Sequence, residues 1–336
     1  MKRIHLVSIV LICTMCLTFL VLLPGCATEP GTVYRIGEVM IVEHPDLLAD
    51  QEGFHQALAE NGFIEGENVE YIFLCAEGDM SIAHTIAQKF VSEKVNLIHA
   101  ISTPVAMACA SAAEGTGIPL VFSTVSNPVV AGLVDSWENP GPHNRTGVSD
   151  KLDAKSVVKM IADICPDCRK LGIVYDAGEA NAVATVNDVK AILPEFDIEP
   201  VEANVPSSAE IMTAAKSLVG RCDVMWWPDS NTVAAGFESL ISVCEQSQIP
   251  LFGPTGWSVE GGCIGACGVH DYAWIGREAG YMAARILLEG LDPADIPVTT
   301  PAAEQTPTLN PAAAERMGIT IPQEVLDRAY EVMTEE

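Results

Sequence analysis

Apolar residues along the chain fall into short unbroken runs, separated by longer stretches in which they recur every three to four positions. The first pattern is that of strands buried on both faces, the second that of helices with one buried stripe. Val33 to Val39 predicts a strand. The following helix starts at Asp46, carries Leu47, Phe54 and Leu58 at spacings of seven and four, and stops at Asn61-Gly62. Val69 to Leu74 predicts a strand, and Ser81 opens a helix with Ile82, Ile86 and Phe90 on one face. Asn96 to Ile101 predicts a strand, Ser102-Thr103 a polar hinge, and Pro104 the first turn of a helix. Ile118 to Ser123 is a further strand. Between Ala131 and Ser149 the pattern lapses into turn formers, which marks a crossing between lobes.

Alternation then resumes. Helices are expected over Asp153–Ile164, Ala180–Ile192, Ser208–Val219 and Thr232–Ser247, with strands over Leu171–Tyr175, Pro200–Asn204, Asp223–Trp227 and Pro250–Phe252. A strand near Ile264–Val269 feeds a helix over Tyr272–Glu289, whose Ile275, Ala279, Met282 and Ile286 form one stripe. A Pro- and Thr-rich tail precedes a last helix from about Gln323 to Met333. Two successive strand–helix series of similar size predict an α/β protein with a parallel, doubly wound sheet in each half.

Ligands of such sheets bind outside the carboxyl ends of the strands. The loops expected there are Glu43-His44, Ser102-Thr103, Ser126-Asn127, Asp176 to Asn181, Asp229 to Asn231 and Thr255 to Ser258. Small hydroxyls, amides and a few carboxylates dominate, which suits recognition of a small polar ligand. Ser102 and Thr103 stand at a helix start able to hold an anion, or one of them caps the helix. Ser126 and Asn127, in the near-copy PLVFSTVSNP, face the same choice. Asp229 and Asn231 precede a helix, so capping and ligand contact are both open, as they are for Glu179 and Asn181. A ligand ammonium would need a counter-charge from Asp229, Asp176 or Glu43. Trp227, Trp257 and Tyr272 are candidates for an aromatic wall. Strand alternation allows only one of Trp226 and Trp227 to face a cleft. His44 reads as a loop residue.

At 336 residues the chain suits two lobes, each with its own core. Its formal charge of -27, from 45 acidic and 18 basic side chains, argues against binding nucleic acid. The first 26 residues have the layout of an export signal: Lys2 and Arg3, an apolar run from Leu6 to Leu23, then Leu23-Pro24-Gly25-Cys26. That ending resembles the lipobox of bacterial lipoproteins, which implies acylation of Cys26 and a tether over residues 27–32. An uncleaved membrane anchor is the alternative. Eight cysteines remain beyond Cys26, with no pairing legible. Cys165-Pro-Asp-Cys168 has metal or redox spacing, but no second pair or His cluster accompanies it, so no metal is expected. No cofactor is expected either.

Several long motifs resemble one family. The run VEHPDLLADQEGFHQALAENGFIEGENVEY is similar to the start of ABC-transporter substrate-binding proteins related to the tryptophan-binding lipoprotein TrpX. So are GDMSIAHTIAQKFVSEKVNLI, the Ser-Thr-Pro turn, IPLVFSTVSNP, TGVSD, GEAN, the PDSNTV turn and the closing NPAAAERMGITIP. The resemblance spans nearly all of residues 33–330. It implies a type I periplasmic-binding fold, with two Rossmann-like lobes joined by three crossings. The expected N-terminal lobe is 33–130 plus about 270–300, and the C-terminal lobe is about 148–268 plus about 308–336. It further implies a lipid-anchored, extracytoplasmic monomer that delivers a small carboxylate-bearing solute, an amino acid and among these an aromatic one, to an ABC permease and its ATPase. A sensor that presents the solute to a membrane receptor is a second reading. A racemase with paired cysteines across the cleft is a third, but no nucleophile–base–orienter set supports an enzyme. The chain departs from the family at Ser126-Asn127-Pro128, where Thr-Asp-Pro is usual, and at Asp176-Ala177-Gly178-Glu179, where Asn-Pro-Gly-Glu is.

Overall fold

The computed structural model describes residues 33–301 and 305–334. The export signal, Cys26 and the tether lie outside them. Two sheets organise the chain. The first contains β1 (Tyr34–Met40), β2 (Val69–Cys75), β3 (Leu97–Ile101), β4 (Leu120–Ser123) and β5 (Arg145–Gly147), in the order β2-β1-β3-β4-β5 and all parallel. The second contains β6 (Lys170–Tyr175), β7 (Glu199–Asn204), β8 (Val224–Trp226), β9 (Leu251–Gly253), β10 (Gly265–Ala266), β11 (Thr308–Leu309) and β12 (Glu331–Val332). Its order is β12-β11-β10-β9-β8-β6-β7, and only β10–β11 is antiparallel.

In both sheets the first strand lies between the second and the third, so the winding reverses beside it. That reversal opens a crevice at the strands' carboxyl ends, between β1 and β3 in one lobe and between β6 and β8 in the other. The chain passes between the lobes after β5, after β10 and again before β11.

Each sheet is covered on both faces. In the first lobe, Ile98, Phe90 and Val105 belong to one buried cluster, while Leu97, Phe54 and Ile275 belong to another on the opposite side. Burying a side chain such as Phe54 or Ile275 contributes about 1.5–3 kcal/mol. Helix α1 (Pro45–Glu60) and helix α10 (Tyr272–Glu289) pack face to face in the second of these clusters. They meet at glycine: a Cβ on Gly276 would lie 1.7 Å from the Asp50 carbonyl oxygen. This close approach seats the start of α10, with Tyr272, against the ligand-facing end of the lobe.

The other helices are α2 (Met80–Glu93), α3 (Thr103–Ala113), α4 (Ala154–Ile164), α5 (Ala180–Ile192), α6 (Ile211–Leu218), α7 (Asn231–Ala234), α8 (Glu238–Ser247), α9 (Gly256–Glu260), α11 (Pro311–Arg316) and α12 (Gln323–Leu326). Three expectations change. The turn-rich stretch before Ser149 contains β5, which extends the first sheet at its edge. The helix expected over Thr232–Ser247 is split at Ala235-Gly236-Phe237, where glycine disfavours continuation. The last helix ends at Leu326, and Glu331-Val332 instead pairs with β11.

Candidate functional site

Both crevices open onto one cavity of about 450 Å³, its mouth included. From the first lobe come His44, Asp46, Ser102, Thr103, Thr124 and Ser126, all just past strand ends. From the second come Asn181, Trp227, Asp229, Asn231, Thr255 and Trp257. Asp150, on a crossing segment, and Tyr272 complete the wall used below.

β3 delivers Ser102 and Thr103. Ser102 has φ +98° and ψ 155°, a conformation natural only to glycine that costs about 1–3 kcal/mol in other residues. Its N–H donates to the Ser123 carbonyl at 3.0 Å and its carbonyl accepts from Ala106 N–H at 3.1 Å, so the backbone on both sides is pinned. Its hydroxyl does not cap α3. The Ser102 and Thr103 hydroxyls are 3% and 2% exposed by residue and have no hydrogen-bond partner. A buried hydroxyl left unpaired is costly, so both point to a missing partner.

The acidic side of the cavity is equally incomplete. Asp150 Oδ1 and Asp229 Oδ2 are buried without partners. Burial pushes the Asp150 carboxyl up to about 7, with hydrogen bonds from Ser126 and its own backbone opposing and the charges of Asp50 and Asp46 adding. Burial, and then the charges of Asp150 and Asp46, push Asp229 well above the usual carboxylate range. Burial also lifts Asp46 to about 6, although its Oδ2 accepts from the Thr255 hydroxyl at 2.8 Å, a bond that joins the lobes. Asn181 Nδ2 donates to the Asp229 carbonyl, and its Oδ1 is unpaired. Three carboxyls crowd one cavity with no Lys or Arg on its wall.

The remaining wall is aromatic. The His44 ring stacks on Trp257 with centroids 5.0 Å apart, and Trp257 and Trp227 both pack on Phe237, at 4.7 and 5.7 Å. Burial lowers the His44 imidazole to about 4, so the ring is neutral, and its Nδ1 has no partner. Trp226 points into the core, as alternation requires.

Of the residues expected to meet a ligand, four lie off this wall. Glu43 is exposed on the loop before α1. Asn127 Oδ1 accepts from Val130 N–H at 3.1 Å and closes its own turn. Asp176 and Glu179 line a second, wider cavity of about 1520 Å³ that shares Thr103 and Asn231 with the first. Glu179 accepts from Asn231 and Thr232 N–H, each at 2.9 Å, and so caps α7 from another element; Asp176 accepts from the Thr232 hydroxyl at 3.0 Å. The carboxylates are occupied by the protein itself. Conversely, Asp46, Thr124 and Asp150 were not among the candidates. Asp150 ends the TGVSD motif, which was its only sequence signal.

All eight cysteines in the described residues are free, and none lines the cavity. Burial pushes the Cys165 and Cys168 thiols up to about 12, so neither is a nucleophile at neutral pH. Among the described residues no group of three or more His, Cys, Asp or Glu is placed to hold a metal ion.

The chain matches the family described as ABC transporter substrate binding protein over residues 35–333. It is 37% identical over 273 residues to a tyrosine-binding protein of Clostridioides difficile, covering 81% of this chain and 78% of that protein. It resembles the structure of an ABC domain in complex with L-Trp from Streptococcus pneumonia, with a TM-score of 0.85 and 31% identity over 90% of this chain and all of that one. A ligand-free, open substrate-binding protein from Clostridium difficile, 33% identical over the same shares, gives a TM-score of 0.66. Two more distant solute-binding proteins, at 15% and 16% identity, share the fold.

Proposed function

Because this chain belongs to the ABC transporter substrate-binding protein family, we propose that it captures an aromatic α-amino acid outside the cytoplasm and presents it to an ABC permease. The observation that carries this reading is the set of buried, unpartnered polar atoms contributed by both lobes to one aromatic-walled cavity. The ligand's ammonium lies between Asp150 and Asp229, whose raised carboxyls then find a counter-charge. Its carboxylate meets the Ser102 and Thr103 hydroxyls at the start of α3, where the helix dipole favours an anion. Its ring packs against Trp257, Trp227 and His44.

Capture is lobe closure. A ligand that satisfies donors and acceptors of both lobes at once stabilises the closed form, which the open form cannot match. The bond between Asp46 and Thr255 and the closer likeness to a tryptophan-bound relative than to an open one, at similar identity, support a closed arrangement here. The export signal and Cys26 support tethering of the closed and open forms alike to the membrane that holds the permease and its ATPase.

Calorimetry of the full chain in detergent, against L-Trp, L-Tyr, L-Phe and L-Leu, tests the reading. Saturable binding of at least one aromatic amino acid, and at least tenfold weaker binding of L-Leu, is expected, since a smaller side chain leaves the aromatic wall unfilled. Absence of heat with all three aromatic amino acids would reject it.

A further inference from the structure

The unpartnered atoms of the cavity are not evenly divided between donors and acceptors. As carboxylates, Asp150 Oδ1 and Asp229 Oδ2 accept only, as does Asn181 Oδ1, whereas a single unpartnered atom of the wall, Trp227 Nε1, donates only. Asp150 and Asn181 are 4% and 5% exposed, so a carboxylate charge left unmet there is costly. The Ser102 and Thr103 hydroxyls can donate or accept. Three acidic side chains, Asp46, Asp150 and Asp229, face the same space, and no Lys or Arg does.

An ammonium group carries three N–H donors, as many as these fixed acceptors require. A ligand carboxylate, by contrast, enters a cavity that already holds three carboxyls and is met by uncharged donors, the Ser102 and Thr103 hydroxyls at a helix start and Trp227 Nε1, with no Lys or Arg. The consequences of removing each group are therefore unequal. Without the carboxylate, neutral hydroxyls that can donate or accept are left, and no charge is stranded. Without the ammonium, carboxyls remain buried with no counter-charge.

We infer that this pocket reads the ammonium of its ligand rather than the carboxylate, so arylalkylamines such as tryptamine and tyramine are ligands as well. This rests on the aromatic amino-acid reading above and extends it to the decarboxylated amines.

The test uses three indole compounds with the full chain in detergent: L-Trp, tryptamine, which lacks the carboxylate, and indole-3-propionate, which lacks the ammonium. Tyramine and L-Tyr serve as a second pair. Tryptamine should bind within about tenfold of L-Trp, and indole-3-propionate at least about 1000-fold more weakly, as expected when buried charges lose their partner. Tryptamine losing as much affinity as indole-3-propionate, or more, overturns the inference while leaving amino-acid binding in place. If L-Trp and L-Tyr themselves do not bind, the aromatic amino-acid reading falls, and this inference with it.

Discussion

Two buried acidic clusters lie in this protein and behave in opposite ways. Inside the first lobe, Glu38 on β1 is fully buried, yet both its oxygens are taken. His99 Nδ1 lies 3.1 Å from one and His55 Nε2 2.6 Å from the other. His99 continues through Nε2 to the Ser123 hydroxyl at 2.9 Å, and its ring stacks on Phe54 at 3.7 Å. Burial raises the Glu38 carboxyl, but the hydrogen bonds and charges of His55 and His99 outweigh it and hold the group below its ordinary value. In the cleft, the Asp150 and Asp229 carboxyls also have buried oxygens but lack such partners, and they rise. Burial alone does not mark a site. Glu38, paired by the protein itself, belongs to the scaffold, whereas the unpaired oxygens of Asp150 and Asp229 lie on a cavity wall where a ligand can reach them; Asp50, unpaired at Oδ1 beside His99 and raised to about 6, lies off that wall.

Substitutions should separate the two clusters. The largest effect is expected from Glu38→Ala, which strands His55 and His99: about 3–5 kcal/mol of stability lost in urea denaturation, as for a broken buried ion pair. Ligand affinity per folded molecule should stay within about twofold, because Glu38 lies off the cavity wall. Next comes Asp150→Asn, which should weaken amino-acid binding on the order of 100-fold in calorimetry, the loss of a charge-assisted hydrogen bond. An affinity loss in Glu38→Ala equal to that in Asp150→Asn would erase the distinction.

The smallest effect concerns pH without ligand. Asp150 and Asp46 have carboxyls raised by burial here, to about 7 and about 6, and an open, hydrated cleft would relieve that burial and return them toward the ordinary carboxylate range. Between the ordinary carboxylate range and about pH 7 the closed form therefore binds protons that the open form does not. Closure of the empty cleft is favoured as pH falls and is lost as pH rises through about 7. Fluorescence transfer between dyes on the two lobes should show a more closed empty protein at pH 5 than at pH 8. Saturating ligand at neutral pH should keep it closed. The opposite trend would mean that the carboxyls do not titrate with closure.

Much of this arrangement was legible in the sequence, for identifiable reasons. The strands β1 to β4 and β6 to β10 were legible, though β5, β11 and β12 were not, and the hydroxyl pair before Pro104 marked the start of α3, because strand, hinge and helix each leave a local pattern. Asp150 left none. It follows a three-residue strand at a sheet edge, inside a stretch whose composition is that of a loop, and reaches the cavity only because the chain crosses between lobes there. Asp176 and Glu179 lie off this cavity's wall for a related reason: their carboxylates are taken by Thr232 and the start of α7, 52 to 56 positions away. The pairing of Glu38 with His99 spans 61 positions. Each appears in sequence only as a lone polar residue in an apolar run.

The contrast between paired and unpaired charge is tested most directly by the thermal midpoint of Asp150→Asn at pH 8, with and without L-Trp or L-Tyr, beside the unsubstituted chain. Without ligand the midpoint should stay the same or rise, since a buried charge without a partner has been removed, and the rise on adding ligand should shrink or vanish. A midpoint that falls without ligand while the ligand-induced rise is retained would show that Asp150 supports the fold and that the partner it awaits is not the ligand.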